Sequence, residues 1–545
     1  MKELVFGLIG GTALLMYGVE KMGNGLEKAS GELMRKILSV LTGRVWTAFL
    51  VGTFLTALVQ SSTAITVLTV GFVNAGLMKL PQAIGVIFGA NIGTTITAQL
   101  MAFSFQFKLT DIALPVLGIG FAVSMLSKNR TLRNVGDSVM GFGMMFLGLK
   151  ILNSGVPFMQ TDPTLRSFFL NYASIPVVAI ALGVIATAAV HSSAATVGLV
   201  MVLGQAGLLD LRAAICIMFG DNIGTCITAQ LASLTGNIHA RRTAWAHTLY
   251  NIIGVLMAWI ALPWFVRLVE AGTVYVQPGG GIAAQIANSH TFFNVLSAVV
   301  FLPLTKQYVR FLETIIRGKE EDQEMVPVYT DKLLLDTPVA AMKAAILESA
   351  RTAGIARRMF DEVMDGFHKG DTSSLEKAEH DENTLNDLQK QITQYIVELS
   401  KRALSHSESE MIPTLISGIN NVERIGDHSL SIARLAYEKM EKNLHFSKEA
   451  TDDLRKMEEI IIEMFERTIS VLEAGDSSGI HEVEGMEDEI DRLSEEVQKG
   501  HAERLEQGTC SVESGLIFLD VINYLERIAD HIVKVCAALG GFNAS

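Results

Sequence analysis

Residues 60–100, QSSTAITVLTVGFVNAGLMKLPQAIGVIFGANIGTTITAQL, are written a second time at residues 191–231 as HSSAATVGLVMVLGQAGLLDLRAAICIMFGDNIGTCITAQL. The two copies align without a gap at a constant offset of 131, with about half the positions identical. Each copy couples a Ser-Ser to an Asn-Ile-Gly-Thr inside otherwise apolar sequence. Duplicated hydrophobic segments interrupted by polar residues mark a membrane transport site built from two halves. The duplication also extends upstream, where GGTALLMYGVEKMGNGL from Gly10 resembles GFGMMFLGLKILNSGV from Gly141.

Charge divides the chain. Its 545 residues carry a net charge of −13, but residues 1–320 hold 21 Lys+Arg against 12 Asp+Glu, and residues 321–545 hold 23 against 45. The first part is apolar and reads as a membrane domain, and the second is acidic with helical periodicity. The charged run from Gly318 to Glu324 opens a linker placed at 321–334, and a helical domain follows over 335–545. Four cysteines, two in each part, give no disulfide framework. The apolar run from Leu4 to Tyr17 lacks a basic leader and reads as a retained first span.

Hydrophobic segments fall at about 4–22, 44–59, 63–78, 80–105, 111–127, 137–153, 174–190, 194–209, 211–234, 244–266 and 289–305. Repeat 1 then covers about 4–128 and repeat 2 about 137–266, with 289–305 as an extra helix. The short pairs flanking Gln60-Ser61-Ser62 and His191-Ser192-Ser193 read as re-entrant hairpins. The segments that follow them read as broken spanning helices, with Gly93 and Gly224 permitting the unwinding. Three crossings separate the hairpins, so the repeats are inverted and their tips can meet near the midplane. Lys and Arg concentrate on one predicted side, including Lys21, Arg35, Lys36, Arg44, Lys79, Arg130, Arg133, Arg241 and Arg242, whereas the other side has little beyond Lys2, Lys108, Arg166, Arg212 and Arg267. The positive-inside rule makes the first side cytoplasmic, with the N-terminus outside and the acidic domain inside, in a cell (inner) membrane.

A hairpin tip at bilayer depth must line a protein or water cavity, because lipid cannot satisfy its backbone. Helix N-terminal amides attract an anion, and serine hydroxyls can donate to phosphate oxygens or accept from a cation. Ser61, Ser62, Ser192 and Ser193 are therefore substrate candidates, completed by Asn91, Thr94, Asn222 and Thr225 from the broken helices. Helix packing is the commonest role for one such serine in a membrane, but a packing motif has no reason to recur at the same place in both copies. Gln60, Thr63, Thr95, Gln99, His191, Asp221 and Gln230 are the candidates for sodium. Asp221 stands where the first copy has Ala90, and reads either as an intramembrane functional acid or as a solvated helix end beside Gly220. His191 stands where the first copy has Gln60 and reads as a neutral hydrogen-bonding replacement.

At these motifs the chain resembles the type II sodium-phosphate cotransporter family, whose halves each carry Gln-Ser-Ser-Ser. The first copy, Gln60-Ser61-Ser62-Thr63, is close to that motif; the second, His191-Ser192-Ser193-Ala194, departs at its ends. The resemblance spans about residues 1–310 and implies coupled movement of sodium and inorganic phosphate.

The acidic part is duplicated as well. Glu423-Arg424-Ile425-Gly426-Asp427-His428 recurs as Glu526-Arg527-Ile528-Ala529-Asp530-His531, among amphipathic segments that predict two three-helix bundles. This pattern resembles the PhoU family of phosphate-signalling proteins, which makes Glu423, Asp427, Glu526 and Asp530 candidate ligands of a metal ion; a solvated acidic face is the alternative.

The expected architecture is all-α: a polytopic membrane transporter with inverted repeats, two re-entrant hairpins and two broken helices, followed by the cytoplasmic bundles. The expected function is sodium-coupled phosphate transport with a cytoplasmic regulatory domain, inorganic phosphate, sodium and lipid as partners, a phosphate-signalling protein as a further one, and no nucleic acid. A membrane-anchored phosphate sensor, the same transporter run as an exporter, and dicarboxylate transport are the alternatives. No nucleophile-base pair or Walker loop points to an enzyme.

Overall fold

The computed structural model describes residues 2–30, 44–318 and 327–540, apart from 162, 164–166, 168, 235, 403, 476 and 509. The described residues form helices and no strand, and the chain divides into two compact units, Met1–Glu320 and Glu321–Ser545. Arg35, Lys36, Arg166 and the linker residues 321–326 lie outside the described residues. Within the remaining linker residues, 327–334, lies the 3-10 turn Lys332–Leu334, opened by Asp331 Oδ1, which accepts from the Leu333 amide at 2.8 Å. All four cysteines are free.

Both re-entrant hairpins are present. Val45–Val59 and Ser62–Asn74 form the first, and Pro176–Val190 and Ser193–Gln205 the second. At about 1.5 Å per residue such arms reach only about 20 Å, short of a hydrocarbon core of about 30 Å. Neither turn uses glycine: Gln60 (φ 58°) and His191 (φ 54°) take left-handed torsions. That conformation costs a residue with a Cβ about 1–2 kcal/mol, so both tips carry strain at equivalent positions.

The interrupted helices run Leu80–Gly93 into Thr95–Gln106 and Leu211–Gly224 into Cys226–Ala232. Thr94 and Thr225 at the breaks keep right-handed torsions, φ −65° and −61°, and each pair remains a single candidate span of 27 or 22 residues. Gly93 and Gly224 therefore do not serve to unwind the chain. Neither has a positive φ, and a Cβ would stand 2.6 Å from Thr53 O at Gly93 and 2.8 Å from Val184 O at Gly224. Their role is close approach: Gly85, Gly89, Gly93, Gly220 and Gly224 let the interrupted helix lie directly on the backbone of the hairpin's first arm. Lys2–Ala29 and Arg130–Ser154 pack on each other in the same way, through Gly18 and Gly141.

Two segments end sooner than their hydropathy suggests. The expected 244–266 is the helix Ile238–Ile260, which turns by 89° into Leu262–Val276, and the expected 289–305 is Ile282–Phe301, which turns by 85° into Thr305–Ile315. Pro263 and Pro303 sit at the two bends. Proline lacks the amide and its ring clashes with the preceding turn, a break to which a hydropathy window is blind.

These two long helices bridge the repeats. Ile238–Ile260 packs on the first hairpin's second arm, on Leu80–Gly93 and on Cys226–Ala232; Ile282–Phe301 packs on the second hairpin's second arm, on Leu211–Gly224 and on Thr95–Gln106. Each contact of one has its counterpart in the other, so Ile282–Phe301 is the symmetry mate of Ile238–Ile260 and not an appended helix.

The acidic unit forms two three-helix bundles, Pro338–Lys369, Thr372–Ser400 and His406–Glu441, then Lys448–Ala474, Ile480–Glu506 and Val512–Gly540. Their apolar stripes face inward, and the bundles join where His406–Glu441 packs on Val512–Gly540.

Candidate functional site

At each hairpin tip the first serine starts the returning helix. Ser61 Oγ accepts from the Ala64 amide at 3.1 Å, and Ser192 Oγ from the Ala195 amide at 3.3 Å. Capping commits those two hydroxyl oxygens to the backbone. The second serines differ from them. Ser62 Oγ donates to Thr94 Oγ1 at a long 3.4 Å, and the Ser193 hydroxyl makes no hydrogen bond among the described residues, so both hydroxyls remain able to serve a ligand. No hydrogen bond joins one tip to the other among the described residues; each bonds within its own repeat.

The residues preceding the serines reach the same position in each repeat. Gln60 is buried and its Oε1 accepts from Thr97 Oγ1 at 2.6 Å, while its Nε2 donates to Ala57 O; His191 is exposed and its Nδ1 lies 3.4 Å from Thr228 Oγ1. Thr97 and Thr228 are themselves 131 apart, so the repeat holds at the level of side-chain pairing. Thr63 is half-buried without a polar partner among the described residues, and Thr95 Oγ1 donates to Ile92 O at 2.8 Å.

Asp221 is fully buried, which excludes the solvated helix end. Oδ1 accepts from Thr187 Oγ1 at 2.7 Å, whereas Oδ2 is buried with no hydrogen-bond partner, and no cationic side chain pairs with it among the described residues. A carboxylate cannot be buried half-satisfied without several kcal/mol of cost. Its donor set, an unpartnered carboxylate oxygen beside threonine hydroxyls, has the chemistry of a site for a hard cation.

Sequence reasoning placed the two bridging helices as hydrophobic segments but missed the polar residues they bring to the site. His247-Thr248-Leu249-Tyr250-Asn251 on one and His290-Thr291-Phe292-Phe293-Asn294 on the other are the same pentapeptide pattern, 43 residues apart, and every one of their polar residues but the threonines is buried. Gln99 Nε2 donates to Thr291 Oγ1 at 2.9 Å and to Asn288 Oδ1 at 3.1 Å; Gln230 Nε2 donates to Thr248 Oγ1 at 2.6 Å. His247 Nε2 lies 3.2 Å from Asn91 Oδ1, and Asn294 Nδ2 donates to Asn222 Oδ1 at 3.4 Å. The Asn-Ile-Gly-Thr asparagines and both glutamines are thus held by this motif. Thr225 Oγ1 donates to Asp221 O at 2.9 Å.

The Na+/Pi-cotransporter model matches residues 14–154 and 159–278, and the PhoU domain model matches 350–436 and 454–539. The protein YqeW of Bacillus subtilis (strain 168) is 32% identical over 319 residues, 57% of this chain and 99% of its own. This chain belongs to the Na+/Pi-cotransporter family. Inorganic phosphate export protein YjbB of Escherichia coli (strain K12) is 26% identical over 527 residues, 96% of this chain and 94% of its own. Sodium-dependent phosphate transport protein 2B of Homo sapiens is 31% identical over 193 residues, 33% of this chain and 26% of its own.

In this member of the family the PhoU-like unit carries its two acidic motifs on the helices where the bundles join. Among the described residues no three His, Cys, Asp or Glu side chains are placed to share a metal ion. The expected ligands lie as two separate pairs. Asp530 pairs with Lys534 at 2.6 Å and Glu526 Oε2 accepts from Ser494 Oγ at 3.0 Å. Burial first, and then the charge of Asp427, raise the Glu423 carboxyl above its ordinary range. His428 and His531 stack between the motifs with centroids 5.3 Å apart, and burial, then the neighbouring His428, push His531 down to about 4.

Proposed function

We propose that this family member is a secondary transporter that moves inorganic phosphate coupled to sodium, with the two Ser-Ser tips as its phosphate site. The observation that carries this reading is the pairing of equivalent strained tips with a buried, half-satisfied Asp221 present in one repeat only. Returning helices begin at Ser62 and Ser193, so their N-terminal amides, the Ser193 hydroxyl and the Ser62 hydroxyl, held only by a long bond to Thr94, present donors to phosphate oxygens. Asn91, Thr94, Asn222 and Thr225 complete that site. Sodium is assigned to Asp221 with Thr187, and Gln60, Thr63, Thr95, Gln99, His191 and Gln230 line its path.

Replacing Ser62 or Ser193 by alanine removes one donor each from the proposed phosphate site. Loss of a hydrogen bond to a charged ligand costs about 1.5–3 kcal/mol, about a ten- to hundredfold fall in apparent phosphate affinity. Phosphate flux in proteoliposomes at equal protein insertion measures it, and normal uptake by both variants would reduce the motif to helix packing.

The proposed orientation places the N-terminus outside and the PhoU-like unit in the cytoplasm, where it regulates flux and meets a phosphate-signalling partner. An impermeant thiol reagent should then label Asn171→Cys on intact cells and Asn129→Cys only after permeabilisation; both sites are exposed. Labelling of both from one side would break the inverted repeat. Export is the second reading, favoured by the relative named a phosphate exporter, which aligns over both units, including the PhoU-like one.

A further inference from the structure

We propose that His247 and His290 are alternating latches, each holding the asparagine of one interrupted helix in one of two facing states; this rests on the transport reading above. The two bridging helices are symmetry mates in what they pack against and in their shared pentapeptide. Their threonines obey that symmetry, Thr248 with Gln230 at 2.6 Å and Thr291 with Gln99 at 2.9 Å.

Their histidines do not. His247 Nε2 reaches Asn91 Oδ1 at 3.2 Å, and the offset of 131 makes Asn222 the equivalent of Asn91, so symmetry calls for His290 on Asn222. Instead Asn294 donates to Asn222, and the His290 ring makes no hydrogen bond among the described residues; Nδ1 is buried without a partner in both histidines, so the two rings differ in the bond to asparagine alone. The same division recurs at the hairpins, independently of the histidines. In the first repeat Ser62 bonds Thr94 and Gln60 bonds Thr97 at 2.6 Å, both tip residues being buried. In the second, Thr225 turns to Asp221 O instead of to Ser193, the His191–Thr228 distance lengthens to 3.4 Å, and His191 is exposed. One half is latched over a closed tip while the other is unlatched beside an open one.

Inverted repeats permit the exchange of these roles. In the opposite state His290 holds Asn222, His247 releases Asn91, and the second tip closes as the first opens. Each state leaves one buried histidine unlatched, so the cost of an unpaired polar group at that depth is carried in both and largely cancels between them. Two states of similar free energy are what alternating access requires, because a strongly favoured one would trap the substrate on one side.

The test uses the full-length chain in detergent, with Cys510→Ser and either Ser61→Cys or Ser192→Cys, and follows the rate of reaction with a polar thiol reagent. The remaining native cysteines are buried. Without further change the site at 192 should react faster than the site at 61. His247→Ala should raise the rate at 61 by at least about fivefold and lower that at 192, His290→Ala should do the reverse, and the double replacement should bring the two rates together. The His290 ring makes no hydrogen bond among the described residues, and its carbonyl, which accepts from Asn294 Nδ2 at 3.0 Å, is kept in alanine, so if His247→Ala does not yield folded protein, the His290→Ala arm decides alone. Opposite shifts support the exchange; shifts in the same direction, or none, overturn it. Phosphate counterflow by the unmutated chain runs in parallel: its absence together with opposite shifts overturns the transport reading but leaves the two-state exchange.

Discussion

Asp221→Asn should weaken the activation of phosphate transport by sodium ten- to hundredfold while changing phosphate affinity only a fewfold. Asp221 is fully buried, and among the described residues its carboxylate is hydrogen-bonded by Thr187 alone, at Oδ1, while Oδ2 has no partner. Under the proposed coupling, a sodium ion supplies the charge that balances it. Asparagine keeps the shape and the bond to Thr187 but removes the charge, so the loss falls on the cation. A charged hydrogen-bonding interaction of this kind is worth about 1.5–3 kcal/mol, which is one to two decades in a half-saturating concentration. The net charge moved per phosphate should change as well, and simultaneous flux and current in vesicles reads both. Unaltered sodium dependence and unaltered charge per phosphate would remove Asp221 from ion coupling.

Gly89→Ala and Gly220→Ala should each reduce the recovered, monodisperse protein severely. A Cβ at Gly89 would stand 2.0 Å from Phe49 O, and one at Gly220 2.0 Å from Ile180 O. The obstacle is backbone in both cases, so no side-chain rotation relieves it. Overpacking a close interface costs about 1–3 kcal/mol even where some relaxation is available, and here the interrupted helix would have to leave its hairpin. Gly10→Ala and Gly118→Ala, whose added Cβ atoms meet nothing within 4 Å, are the matched controls and should leave yield and melting temperature unchanged. Equal behaviour of all four variants would show that the hairpins do not depend on this close approach.

The architecture was legible where physics writes itself into local pattern. An offset of 131 exposed the two repeats, arms too short to span exposed the hairpins, and helical periodicity exposed the six helices of the acidic unit. What stayed hidden depended on neighbours distant in the chain. Gly93 and Gly224 suit unwinding and close packing equally well, and only the carbonyls of Thr53 and Val184 decide between them. Left-handed turns at Gln60 and His191 carry no glycine or asparagine to announce them. The polar motif of the bridging helices was missed because their pentapeptide recurs at an offset of 43, outside the dominant repeat, and their ends were misplaced because Pro263 and Pro303 do not register in a hydropathy window. The paired sequences His-Thr-x-Tyr-Asn and His-Thr-x-Phe-Asn were the available signal. Asp221 was recognisable as an odd acid, but its burial was not, since a residue beside a helix break can face either water or protein.

Counterflow of labelled phosphate in proteoliposomes tests the central claim most directly. With sodium on both sides, unlabelled phosphate inside the vesicles should draw labelled phosphate in above its equilibrium level, and replacing sodium by potassium should abolish the overshoot. Ser62→Ala and Ser193→Ala should each diminish it with sodium present. An undiminished overshoot in potassium would contradict sodium coupling, and no overshoot under either condition, from protein shown to be inserted and folded, would contradict transport itself.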